Sequence, residues 1–342
     1  MSPIAFYAGN AVVYWSSLVI VFGIAAGFFL SYSLYTAHSG RGSAMFVLLG
    51  FALPLGLFCG RLVHYLFNPE QYNGFWSALT DPSCGSYFLP AALLCLLPAA
   101  LLVRGIGISD STGELLDAMA PGAVLASALI RLSDVFTTAC RSALPVRTKL
   151  FQRLPFAERI SDSYGSGYHF ASYFISALLL LGLLLVSLLF FYRHHGDHMK
   201  RPCPHYGHTA CITAALFCAE ELVIDSTRSD STVLRFRILQ FLNPYVSFIS
   251  LTQVVAAAVL LLLLLRYARA SLVANGRFRG YSMIFVLFAL GLVGAGVSEY
   301  LVQRFTNRAP LCYLLQSTGA LAMCAAVLLM YASCRRERRR EE

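Results

Sequence analysis

The residues of this chain best placed to do chemistry are ionisable side chains lying inside long apolar stretches. Such groups cost several kcal/mol at membrane depth unless they are paired or hydrated. Arg61 and His64 stand three apart in one stretch, and Arg131 and Asp134 have the same spacing in another. Glu221 and Asp225 are four apart in a third, so they share a helical face, while Glu220 is turned about 100° away. Glu299 sits near the end of a later stretch. Two arrangements follow from these residue types. One is interhelical salt bridging, for instance between Arg131 and Asp225. The other is a polar cavity for a phosphate-bearing anion, because arginine grips phosphate with two parallel N–H groups and stays charged when buried.

Positioning such groups requires a membrane scaffold. Apolar residues make up 58% of the 342, and only 13% are charged; mean hydropathy is +0.66. A soluble domain carries about 25% charge, and a core of this length cannot hide so much apolar surface, so lipid must cover part of it. About nine stretches approach the roughly 20 apolar residues that span a bilayer: 12–35, 43–66, 87–103, 115–136, 170–192, 209–226, 247–266, 281–302 and 311–333. Unbroken runs such as Ala256 to Leu265 exclude the alternation of barrel strands. The predicted fold is all-α, a polytopic transmembrane helix bundle of about nine helices, with the fourth broken at Pro121-Gly122. The first stretch is too long for a signal-peptide core and has no basic run before it, so it is expected to remain as a helix.

With the N-terminus outside, 14 of the 26 Lys and Arg fall in inner loops and the C-terminal tail and 10 outside. That bias predicts a cytoplasmic C-terminus. The net charge of +9 then reflects anchoring against anionic membrane lipid, and no nucleic-acid partner is expected. The 137–169 loop, with Arg141, Arg147, Lys149, Phe151, Arg153, Phe156 and Arg159, suits either a headgroup layer or ordinary solvent. Cys84 and Cys140 are the cysteines placed to pair outside. Five of eight histidines crowd into His194, His195, His198, His205 and His208, with Asp197 and Cys203 among them. Such density would suit zinc, but the spacing matches no defined site, so no metal is expected. No nucleotide, haem or Gly-rich phosphate motif is present, and no cofactor is expected.

Four fragments in order resemble the prolipoprotein diacylglyceryl transferase family over about residues 10–270. Cys59-Gly60-Arg61-Leu62, with Tyr65 after it, is similar to the family's G-A-R-L segment. Asp117-Ala118-Met119-Ala120-Pro121, followed by Ile130-Arg131-Leu132-Ser133-Asp134-Val135-Phe136, resembles D-x-x-A-P and the G-R-x-G-N-F-x-N-x-E signature. Glu221 to Asp230 is similar to R-F-x-x-E-x-x-R-x-x-D, and Gln253 matches a glutamine opening the seventh helix. There are departures. Ser86-Tyr87-Phe88-Leu89-Pro90 stands where the family has H-G-G, Asp134 and Ala139 replace asparagine and glutamate, and Glu221 occupies an arginine position. Trp15, with Tyr14 beside it, falls where a tyrosine is expected.

The resemblance implies a seven-helix core, expected over 1–275, with a further helix pair and basic tail over 276–342. It implies transfer of a diacylglyceryl group from phosphatidylglycerol to the lipobox cysteine of lipoprotein precursors, whose signal peptides would be partners, in a bacterial plasma membrane. Arg61, Arg131, Arg228, Tyr65 and Gln253 would bind the phospholipid headgroup. A thiol needs deprotonation before it attacks, and His64, Asp134 and Asp225 are the candidate catalytic groups; for His64, plain packing is the competing role. The alternative expectation is a catalytically silent relative that binds phospholipid or a membrane partner. A transporter using the carboxylates is the third reading, but it would call for an internal repeat, and none is visible.

Overall fold

The structure is a computed structural model that describes residues 4–8, 11–39, 42–80, 87–137, 142, 145–146, 149–154, 156–162, 165–195, 207–228, 233–235, 248–275, 281–304 and 308–341. The cysteine pair Cys84 and Cys140, and Asp197, His198, Cys203 and His205 of the histidine cluster, lie outside the described residues. Among the described residues seven helices are long and apolar enough to cross a membrane, with a shorter apolar stretch over Leu89–Gly105. The chain is a multi-pass membrane protein. Its long helices are α1 (Trp15–Ser39), α2 (Ser43–Phe67), α6 (Thr112–Ser133), α8 (Ser172–His195), α9 (His208–Thr227), α10 (Leu251–Asn275), α11 (Ser282–Arg304) and α12 (Ala309–Glu341). Of these α9 is long enough to span but carries Glu220, Glu221 and Asp225. Shorter helices are α3 (Phe75–Thr80), α4 (Leu89–Leu94), α5 (Leu96–Gly105) and α7 (Lys149–Gln152). Among the described residues three two-stranded antiparallel sheets accompany them: β1 (Ile4–Ala8) with β2 (Ala11–Tyr14), β3 (Ala157–Asp162) with β4 (Gly165–Phe170), and β5 (Val233–Arg235) with β6 (Phe248–Ser250).

The expected break at Pro121-Gly122 does not occur. Helix α6 runs through Pro121, because a membrane helix tolerates the loss of one intrahelical donor when neighbours pack around it. The break falls instead at Cys95, which separates α4 from α5.

Contacts divide the chain into two compact units. The first holds Met1–Thr213 with Thr227–Thr232. In it α1 and α6 run antiparallel at backbone contact. A Cβ on Gly27 would land on the Gly122 carbonyl, and one on Gly122 would land on the Gly27 carbonyl and Ser31 Oγ. More than three turns away Trp15 stacks on Phe136, with ring centroids 6.2 Å apart. Small residues at such crossings let helices associate by close van der Waals packing, the main force available in lipid. Met45, Leu48, Leu115 and Met119 belong to one buried core, so the starts of α2 and α6 lie together. Within this unit hydroxyls pair Ser172 with Thr227 at 2.9 Å and Ser187 with Thr213 at 2.8 Å.

The second unit holds Ala214–Ser226 and Val233–Glu342. Here α11 and α12 pack antiparallel through Gly291 and Gly319; a Cβ on either would fall within 2.9 Å of the other helix's backbone. Tyr267 of α10 meets Tyr331 of α12 with centroids 5.4 Å apart.

The close crossing makes a quantitative expectation. Gly122→Val should destabilise the protein by about 1–3 kcal/mol through overpacking, read as a lower thermal midpoint in detergent. Gly182→Ala on α8, where no neighbour lies within 4 Å, should not lower the midpoint, and its better helix propensity should raise it slightly.

Candidate active site

The end of α2 is where the first polar cluster forms. After Phe67 the chain makes a 3₁₀ turn at Pro69–Gln71, and Gly74, at φ 130°, reverses it into α3. A left-handed turn of this kind suits glycine because it has no Cβ. The reversal folds 68–80 back over the last two turns of α2. Ala78 thereby offers its carbonyl to Arg61, whose Nε donates to it at 2.6 Å. From the other side α4 is tied in by Phe88 N–H donating to the Gly60 carbonyl at 3.0 Å, which sets Tyr87 beside the same arginine.

Arg61 is 3% exposed. Its guanidinium carbon lies 5.0 Å from the Tyr72 ring centroid and 5.1 Å from that of Tyr87. A cation against two aromatic faces gains about 0.5–2 kcal/mol per contact, most where water is excluded. The Tyr72 hydroxyl is 2.6 Å from His64 Nδ1, and Tyr65 meets Tyr72 edge to face at 5.6 Å and Phe75 at 5.8 Å. The structure therefore brings Arg61, His64 and Tyr65 into one cluster around Tyr72, a residue that sequence reasoning did not single out. Tyr87 occupies the segment that reads H-G-G in the resembling family.

Arg131 lies near the end of α6 and is 5% exposed. The starts of α2 and α6 share a core, so both helices run the same way. Arg61 lies about 20 Å beyond Leu48, and Arg131 about 18 Å beyond Met119, at 1.5 Å per residue. The two buried cations therefore stand at one level, toward the same end of the first unit. Asp134 begins the 3₁₀ turn that closes α6 and is half-buried. Arg228 follows the end of α9, and its backbone bridges to Ser142, whose carbonyl accepts from His169 Nδ1 at 3.1 Å. A carbonyl can only accept, so this bond puts the proton on Nδ1 and leaves Nε2 as the basic nitrogen. His169 is a second residue that sequence reasoning missed; nothing in its spacing marked it.

In the second unit Asp225, 2% exposed, accepts from the Ser250 hydroxyl. Ser250 opens α10 as its cap. Its Oγ accepts from Thr252 N–H at 3.2 Å, and Gln253 Oε1 accepts from Ser250 N–H at 3.3 Å. This is a capping box, Ser-x-x-Gln, in which side chain and backbone satisfy each other's donors. The Gln253 Nε2 donates to the Leu222 carbonyl at 3.3 Å and to Glu299 Oε2 at 3.0 Å. Gln253 thus joins Asp225 through Ser250, and its amide is fully engaged by protein groups. Glu221, 1% exposed, lies one turn before Asp225.

Asp117, quoted above only as part of a motif, has a clear structural task. Its two oxygens accept from Gly207 N–H at 2.7 Å and Ala210 N–H at 2.8 Å. It caps the start of α9 from α6, meeting backbone donors that the helix itself leaves over, at its positive end.

A multi-pass helix bundle with two buried arginines at one level defines a membrane protein with a cation-bearing interior. The family model for prolipoprotein diacylglyceryl transferases matches residues 3–264, and the chain belongs to that family. A protein of Gloeobacter violaceus named phosphatidylglycerol–prolipoprotein diacylglyceryl transferase is 28% identical over 234 residues, covering 67% of this chain and 82% of the relative. One of the same name from Acaryochloris marina is 27% identical over 241 residues, covering 68% and 81%. The match ends inside α10, and α11 and α12 lie beyond it.

The cap predicts a graded response. Asp117→Ala should cost about 1–2 kcal/mol and speed amide hydrogen exchange at residues 207–211, whereas Asp117→Asn, which keeps one acceptor oxygen, should cost less.

Proposed function

We propose that this chain transfers a diacylglyceryl group from phosphatidylglycerol to the cysteine thiol of lipoprotein precursors in a bacterial plasma membrane. In that reaction the thiol gives its proton to a protein base. The thiolate sulfur then bonds to the glyceryl carbon, the carbon–oxygen bond to phosphate breaks, and glycerol phosphate leaves with the electron pair. Cations aimed at the phosphate stabilise the charge that develops there.

The observation that carries this reading is the pair of buried arginines, Arg61 and Arg131, at one level of the first unit. A guanidinium stays charged in an apolar setting and matches phosphate with paired donors. Arg228 is the third cation we assign to the headgroup, together with Tyr65, whose ring packs on Tyr72 beside Arg61. Asp225, three residues before Arg228 in the chain, is the group we assign to take the thiol proton. His64 and Asp134 are the alternatives; His64 is already bonded through Nδ1 to Tyr72, which favours a part in shaping the Arg61 cage. The orientation that fits the charge bias puts the N-terminus outside and the C-terminus in the cytoplasm, with residues 276–342 a helix pair added to a transferase-like domain over 1–275.

One observation favours a second reading, a relative that binds phospholipid without transfer. Tyr87 stands on Arg61 in the segment where the resembling family carries histidine, so a proton-handling group is exchanged for an aromatic face.

Cells depleted of their own transferase separate the two. This chain should restore lipidation of a reporter lipoprotein, and Arg61→Ala, Arg131→Ala and Asp225→Asn should each reduce it about 10²-fold or more. Phosphatidylglycerol that co-purifies with the chain and is lost in Arg131→Ala, with no lipidated product, would support binding alone. Absence of both product and bound lipid, with the protein present in the membrane, overturns both readings.

A further inference from the structure

The helix pair that lies past the family match is bonded to the very turn that carries Asp225. Gln316 of α12 is 1% exposed. Its Nε2 donates to the Leu222 carbonyl at 3.1 Å and to Glu299 Oε2 of α11 at 2.9 Å, and its Oε1 accepts from Ser226 Oγ at 2.8 Å. Tyr313 of α12 adds a hydroxyl bond to the Ser226 carbonyl at 3.2 Å. Glu299 also accepts from Gln253 Nε2 at 3.0 Å and Gln303 Nε2 at 3.0 Å. The residues held, Leu222 and Ser226, bracket Asp225 within one helical turn.

Two features argue against simple packing. Two of these bonds run from Gln316 to the backbone and hydroxyl of α9, and a leucine at 316 would fill the space without either. Moreover, the Leu222 carbonyl has two lone pairs and takes two side-chain amides, from Gln253 and Gln316. The geometry of the last turn of α9 is therefore set by α10 and α12 as well as by the helix's own ladder. The Asp225 side chain is fixed from a second direction by the Ser250 hydroxyl, and Ser250 is locked by Gln253, which shares Glu299 with Gln316.

We propose that α11 and α12 are a working part of the transferase, with Gln316 and Glu299 as positioning residues that hold the last turn of α9 and so aim Asp225. This rests on the transferase reading above, in which Asp225 takes the thiol proton. The helix pair is then no appendage: the reaction in this chain depends on residues outside the region shared with the family.

The test uses the full chain in phospholipid nanodiscs, with Gln316→Met as the variant that keeps volume and removes the bonds. Amide hydrogen exchange over 222–228 should speed at least tenfold while peptides from α1 and α6 keep their protection. With a lipobox peptide as acceptor, kcat per folded molecule should fall at least tenfold, and KM for phosphatidylglycerol should stay within twofold. Thr318→Val, an exposed change on the same helix, should alter neither. If Gln316→Met misfolds, Ser226→Ala removes one bond of the set and should give the same signature in smaller degree. Unchanged exchange at 222–228, or a kcat within twofold of the unaltered chain, overturns the proposal. If the unaltered chain shows no turnover, the transferase reading fails, and the exchange measurement alone decides whether the helix pair holds the turn.

Discussion

A guanidinium cannot shed its charge at any accessible pH, so an arginine on a lipid-embedded helix must be met by protein groups wherever it sits. Arg61 shows how much structure this demands. Its Nε needs a carbonyl, which the chain supplies only by reversing at Gly74 and laying α3 over the end of α2. Its faces need electron-rich partners, which come from two directions as Tyr72 and Tyr87. Tyr87 in turn depends on α4 starting at the Gly60 carbonyl. One buried charge thus dictates the path of about thirty residues, and the same demand applies to Arg131 at the matching level of α6.

The carboxylates and amides follow the same rule with different partners. Helix α9 carries three acidic residues and is less suited to lipid than its neighbours. Both its ends are held by side chains from elsewhere: Asp117 at the first turn, and Gln253 and Gln316 at the last. A helix terminus leaves backbone groups over, and in hydrocarbon no water replaces a missing partner. Capping of α9 is therefore done in trans, by residues far away in the chain.

That distance explains what could and could not be read from the sequence. The apolar stretches were legible because hydropathy is a local property, and every one of the nine contains a helix. The Ser250–Gln253 capping box was equally local, four adjacent residues with a known signature. Pro121 misled, since its effect on a helix depends on what packs beside it, and the Gly27–Gly122 contact lies ninety-five residues apart. The break at Cys95 had its signal in Pro98, which lacks the N–H that would bond the Leu94 carbonyl. Arg61, Arg131 and Asp225 stood out as charges in apolar surroundings. Tyr72, His169 and Gln316 did not, because an aromatic ring, a loop histidine and a lone glutamine acquire meaning only from partners that folding brings to them. Gln253 drew attention through resemblance, while its bonds to Leu222 and Glu299 were invisible until the helices were assembled.

The crossing of α1 and α6 has a consequence for how this sequence can vary. When a side chain blocks a substitution, a smaller neighbour elsewhere can make room, so the two positions drift together. At Gly27 and Gly122 the other helix's carbonyl blocks a Cβ in each direction, and shrinking Ser31, which also crowds Gly122, would leave that carbonyl in place. A suppressor of a bulky residue at either position would have to move a whole helix, and the glycines are held independently of the identity of everything around them.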